Sequence, residues 1–116
     1  MEFICNGDKK MEDIKLLALD LDGTLTNSNK KISSKNKSYI AKAQERGVKI
    51  ILASGRPVIG IQNIADELGL STKGGYILAY NGGQIIDCET GKDLVKETIP
   101  MEYVPIICDV INKYNA

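Results

Sequence analysis

Asp20-Leu21-Asp22-Gly23-Thr24-Leu25 stands at the end of a mostly apolar run, residues 14–19. A short apolar run closed by turn-forming residues reads as a buried strand. Two carboxylates two positions apart at the end of such a strand need partners, because desolvating a charge is costly. A divalent cation is an economical partner, and hard carboxylate oxygens suit Mg²⁺. Gly23 lets the chain turn sharply and bring main-chain N–H groups up to an anion. One carboxylate to attack, one to carry a proton and a metal to neutralise charge are the equipment of phosphoryl transfer.

A second run, Val48-Lys49-Ile50-Ile51-Leu52-Ala53, ends in Ser54-Gly55-Arg56-Pro57, and a third, residues 76–80, leads into Asn81-Gly82-Gly83. Taken in order, the three segments resemble motifs of the haloacid dehalogenase (HAD) superfamily. D-L-D-G-T-L resembles the D-x-D-G-T-[LV] that follows the first strand in its phosphatases. A-S-G-R-P resembles the segment after the second strand in the Cof-type branch of sugar and metabolite phosphatases. Tyr80-Asn81-Gly82-Gly83 is similar to the N-G-A that ends the third strand there. The resemblance implies an α/β fold: a Rossmann-like parallel sheet, incomplete in this chain, followed by the start of an α+β cap.

Local patterns agree with alternating elements. Residues 24–32 are polar and read as a loop, where the resemblance implies a small flap over the site. Ser33 or Ser34 is placed to cap a helix running to Arg46, with Gly47 ending it. Tyr39, Ile40 and Ala43 give that helix a modest apolar face. Pro57 suits a first helical turn, and Val58, Ile61, Ile64, Ala65 and Leu68 recur at helical spacing up to Gly69. Strand, helix, strand, helix, strand implies right-handed crossovers and a parallel sheet, and with the resemblance the expected spatial order is three-two-one. The alternation then stops. Residues 84–88 and 94–98 flank Glu89-Thr90-Gly91-Lys92 and read as a hairpin. Val104, Ile107, Cys108 and Ile111 mark an amphipathic helix with Pro105 near its start.

Composition narrows the function. The 116 residues make one domain or part of one. Lys+Arg and Asp+Glu balance at 15 each, so no global basic field attracts nucleic acid. The chain has no histidine, which removes Ser-His-Asp and Cys-His catalysis and His-ligated zinc. Cys5, Cys88 and Cys108 are odd in number and widely spaced, as expected of free thiols in a reducing compartment. No run has signal-peptide character or transmembrane length. The expectation is a cytoplasmic protein with neither nucleic-acid nor membrane partners. The lysines at 30, 31, 35 and 37 read as a solvated face.

Residues 1–13 read as a leader, 14–83 as the N-terminal half of the core and 84–116 as the beginning of a truncated cap. Phe3-Ile4-Cys5-Asn6-Gly7-Asp8 with Glu12-Asp13 superficially echoes the superfamily's fourth motif. Only five residues separate Asp8 from Ile14, however, and a parallel crossover needs about a dozen or more. The third-motif Lys and the G-D-x-x-x-D fourth motif that the superfamily uses have no place in this chain. Without further strands beside it, the first strand is an exposed apolar edge, which invites self-association.

The resemblance assigns roles residue by residue. Asp20 is the nucleophile and Asp22 the acid/base group. Mg²⁺ is held by Asp20 and by Asp22 through its main-chain carbonyl. Gly23, Ser54 and Gly55 hold phosphoryl oxygens, Arg56 adds a charged contact to substrate or pairs with a carboxylate within the fold, and Asn81 lies beside the site. The substrate is a small phosphorylated metabolite resembling a sugar phosphate, and the fragment alone is expected to be inactive. The alternative is a non-catalytic remnant or interaction module that pairs through its first strand.

Overall fold

A computed structural model describes residues 14–115. The expected leader, with Cys5 and the fourth-motif echo, lies outside the described residues. Five strands form one sheet in the order β1-β2-β3-β4-β5. β1 (Leu16–Asp20), β2 (Lys49–Ala53) and β3 (Gly75–Ala79) are parallel, as the alternating pattern requires. β4 (Gln84–Asp87) and β5 (Asp93–Lys96) form the expected hairpin. β4 also pairs antiparallel with β3, from Tyr76 opposite Asp87 to Ala79 opposite Gln84, so the hairpin continues the same sheet. That pairing was not read in the sequence, although the short connection Tyr80-Asn81-Gly82-Gly83 between the two strands is itself a hairpin signal.

The register lines up Leu19, Leu52 and Ile77 across the three parallel strands. These side chains are buried at 5%, 0% and 1% exposure, and each is worth roughly 1.5–3 kcal/mol of hydrophobic stabilisation. Over them lie α1 (Ser34–Glu45), α2 (Gln62–Glu67) and α3 (Leu70–Lys73), which bring Ile40, Ile64, Ala65, Leu68 and Leu70 into one core. Ser33 caps α1, its side chain accepting from the Asn36 N–H. The helix ends as expected. Gly47 takes φ +83° and donates to Gln44, while Val48 donates to Ala43, the paired bonds of a Schellman motif. Gln44 Nε2 then donates to the Leu68 carbonyl at 3.0 Å, tying α1 to the end of α2.

Two expectations change. The segment after Pro57 is not one helix: Val58–Gly60 is a 3₁₀ turn, α2 follows, and Gly69 at φ +68° ends it, with α3 starting at once. The bond from Gly60 N–H to the Pro57 carbonyl holds the chain in tighter i→i+3 turns there. β1, expected as a buried strand, is covered on one face only among the described residues. Leu19 is buried, but Leu16 is 55% exposed and Ala18 is exposed too, because all three core helices pack on the opposite face. By register, Ile51, Tyr76 and Leu78 share that open face and are half-buried. β1 stands at the edge of the sheet.

α4 (Val104–Tyr114) forms with Pro105 in its first turn, as expected. None of its residues is buried. Its apolar stripe, Val104, Ile107 and Ile111, is exposed at 37%, 39% and 43%.

Candidate active site

Parallel strands put their carboxyl ends on one edge of a sheet, and the loops leaving that edge converge. Asp20 is the last residue of β1 and is in register with Ala53, the last of β2. Ser54 therefore leaves β2 beside Asp20. Asn81 arrives from β3, and its main-chain N–H donates to the Ser54 carbonyl at 3.1 Å. Asp20, Ser54 and Asn81, read from three separate runs of sequence, share one edge of the sheet.

The Asp20 loop is tightly built. Gly23 takes φ +75°, a left-handed turn that a side chain would strain. Thr24 and Leu25 fold back, with Leu25 N–H donating to the carbonyls of both Asp20 and Leu21. Residues 24–32 were expected as a polar loop, yet Leu25, Thr26 and Ile32 are buried. Thr26 bridges to Asp22 and to Ile32, and its hydroxyl donates to the Leu21 carbonyl at 2.9 Å. This small flap fixes the turn that carries Asp22. Asp20 is exposed, and among the described residues its carboxylate has only a long approach from the Thr24 hydroxyl at 3.5 Å.

The second loop is fixed at both ends. Ser54 is 8% exposed, its N–H donates to Leu78, and its hydroxyl accepts from the Arg56 N–H at 3.1 Å. Tyr80 N–H donates to the Arg56 carbonyl. Tyr80 and Asn81 both have left-handed backbone, at φ +51° and +54°, a strained pair of non-glycine residues that these bonds hold in place. A Cβ on Gly55 would lie 3.2 Å from Asn81 Oδ1, so the bare glycine is what lets the Asn81 amide pack there.

Arg56 makes the contact that sequence left open between substrate and an internal carboxylate. Its Nε donates to Asp22 Oδ2 at 3.0 Å, its Nη2 donates to Asp22 Oδ1, and its Nη1 donates to the Gly60 carbonyl at 3.3 Å. Gly60 was not marked in the sequence; a lone glycine early in a helical pattern was the available signal. The expected lysines at 30, 31, 35 and 37 are all exposed, and Lys37 pairs with Glu67 at 2.5 Å.

Asp20 offers hard oxygen donors of the kind Mg²⁺ takes. The Asp22 carboxylate is engaged by Arg56, leaving its main-chain carbonyl for a cation. Among the described residues, no group of three or more His, Cys, Asp or Glu side chains is gathered as a metal site. The donor chemistry fits the ion, but the set is partial.

The exposed aspartate and two fixed loops lie at the carboxyl edge of the sheet, the place where open α/β sheets bind ligands. The comparisons make this specific. The sequence pattern of the haloacid dehalogenase-like hydrolases matches residues 17–116, and the chain belongs to that family. It is 33% identical over 105 residues to the 5-amino-6-(5-phospho-D-ribitylamino)uracil phosphatase YcsE of Bacillus subtilis, covering 90% of this chain and 40% of that protein. It is 36% identical over 86 residues to the phosphatase YwpJ of the same organism, covering 74% of this chain and 29% of that one. A haloacid dehalogenase-like hydrolase from Bacteroides thetaiotaomicron superposes with a TM-score of 0.81 at 45% identity, over 88% of this chain and 38% of that structure. The chain thus spans well under half the length of these relatives.

Proposed function

We propose that this chain is the N-terminal part of a Mg²⁺-dependent, Cof-type phosphatase acting on a small phosphorylated metabolite in the cytoplasm. The observation that carries the reading is the register of Asp20 with Ala53, which sets Asp20 beside Ser54 at the carboxyl edge of the sheet. The phosphatase names of the relatives support it. In this reading residues 14–83 belong to the core and 84–116 open the cap.

The chemistry follows from the residues. An Asp20 carboxylate oxygen attacks phosphorus and forms an aspartyl-phosphate as the substrate's ester oxygen leaves. Asp22 gives that oxygen a proton, then takes one from the water that hydrolyses the acyl phosphate and regenerates Asp20. The Ser54 hydroxyl and the main-chain N–H groups of Gly23 and Gly55 hold phosphoryl oxygens, and Asn81 braces the Ser54 loop. Asp20 and the Asp22 carbonyl would hold Mg²⁺, which would supply charge neutralisation.

A chimera tests this. The segment of YcsE that this chain matches is replaced by the present sequence, and folding is checked by circular dichroism. Hydrolysis of 4-nitrophenyl phosphate with Mg²⁺, abolished by Asp20→Asn, is expected. A folded chimera with no activity would overturn the reading.

A second reading, a non-catalytic module that pairs through β1, is favoured by one observation: β1 is an edge strand beside an open apolar face. A folded but inactive chimera together with strong self-association of the chain is its signature.

A further inference from the structure

We infer that Arg56 is a positioning residue for Asp22 and not a ligand of the substrate phosphate. The inference rests on the phosphatase reading for its purpose, but its geometry stands apart. The main chain of Arg56 is held on both sides, by the Ser54 hydroxyl at its N–H and by Tyr80 at its carbonyl. Its side chain therefore leaves from a fixed point. The stem runs past Gly60, where an added Cβ would lie 3.4 Å from Arg56 Cβ and 3.5 Å from Cδ. The head is then spent. A guanidinium is a rigid planar fork, and here Nε and Nη2 take both oxygens of Asp22 while Nη1 takes the Gly60 carbonyl. Turning the fork toward an anion elsewhere would break all three contacts at once.

Asp22 has the opposite problem. It sits on a turn with its side chain 59% exposed, so among the described residues Arg56 alone holds its carboxylate in one orientation. The proton carrier must be aimed as well as present, because a misplacement of about 1 Å costs rate steeply. Arg56 and Gly60 supply that aim from the second loop, across 34 residues of sequence. Lysine cannot replace the arginine, since a single ammonium has no paired donors to fix the plane of a carboxylate.

The test uses the ¹⁵N-labelled 116-residue chain. Its only arginines are Arg46 and Arg56, so the arginine Nε–Hε region of the NMR spectrum holds two signals. Arg56→Lys assigns one of them. That signal is expected to exchange slowly with water, and to lose its protection in Asp22→Asn while the main-chain spectrum stays folded. Gly60→Val keeps the guanidinium but crowds its stem, and is expected to weaken the protection as well. An Arg56 signal indifferent to Asp22→Asn would overturn the inference. In the YcsE chimera, Arg56→Gln is expected to lower kcat roughly tenfold or more with KM nearly unchanged, and Arg56→Lys not to rescue it. A rise in KM at constant kcat would mark a phosphate contact and overturn it. An inactive chimera sinks the phosphatase reading, while the NMR result still judges the pairing of Arg56 with Asp22.

Discussion

Single side chains carry different kinds of information in this protein. Asp20 is marked by chemistry, because a carboxylate at the end of an apolar strand needs a partner, whereas Ser54 is marked by the resemblance of the motif that carries it. Cys88 is marked only by its surroundings. It packs against the core, and burial, followed by the charges of Asp87 and Asp66, pushes its thiol from an ordinary 9.0 up to about 11. Cys108 lies exposed on α4. Thiolates alkylate and thiols do not. Iodoacetamide near neutral pH is therefore expected to modify Cys108 well before Cys88, read by peptide mass spectrometry; equal rates would contradict the burial of Cys88. The sign for stability follows. A thiol that holds its proton more tightly when folded favours the folded state below pH 9, and that contribution is lost as pH rises from about 9 to 11.

Elements show how far local rules reach. α1 begins and ends where capping chemistry places it, at Ser33 and Gly47. Ser33→Ala removes the acceptor of the Asn36 N–H and is expected to cost about 1 kcal/mol, while Ser33→Asp restores it. Urea denaturation followed by circular dichroism measures both. An Ala variant as stable as wild type would mean that packing alone sets the start of the helix. The segment after Pro57 was less legible. Its apolar spacing is helical, but Gly60 and Gly69 divide it into a 3₁₀ turn, α2 and α3. A periodicity reports which side chains face the core; it does not report where the backbone changes pitch. Residues 24–32 form the expected loop, but its buried anchors were not legible. Their polar composition conceals Leu25 and Ile32, which anchor the flap.

The assembled sheet has one finished face and one open face, and this asymmetry governs how the chain should behave. Among the described residues, Leu16, Ala18, Ile51, Tyr76 and Leu78 line the open face, and the outer edge of β1 is without a partner strand. Such an edge recruits another strand, with roughly 25 cal/mol per Å² of buried apolar area as driving force. Light scattering across a dilution series is expected to show dimers or larger species, and Leu16→Lys with Ala18→Lys is expected to reduce them. A monodisperse monomer at high concentration would refute this. The same incompleteness bears on activity. With Asp20 and one carbonyl as its protein ligands, Mg²⁺ would be held weakly. The isolated chain is accordingly expected to turn over 4-nitrophenyl phosphate little above background. Turnover that Asp20→Asn removes would show the chain to be sufficient.

Local sequence was enough for the order of elements, the parallel sense of the first three strands and the residues gathered at their carboxyl edge. Periodicity, caps and turn residues act over a few positions, and right-handed crossovers then leave little freedom in how the strands align. The antiparallel return of β4 onto β3 was legible in principle, in the Gly-containing connection between them, but was not read. Two features depended on distant contacts. Leu16 and Ala18 are as apolar as Leu19 yet lie exposed, because a side chain's burial depends on what packs over it. Arg56 takes Asp22, 34 residues away, because the fold brings two loops together and sets a carboxylate where the planar fork can match it.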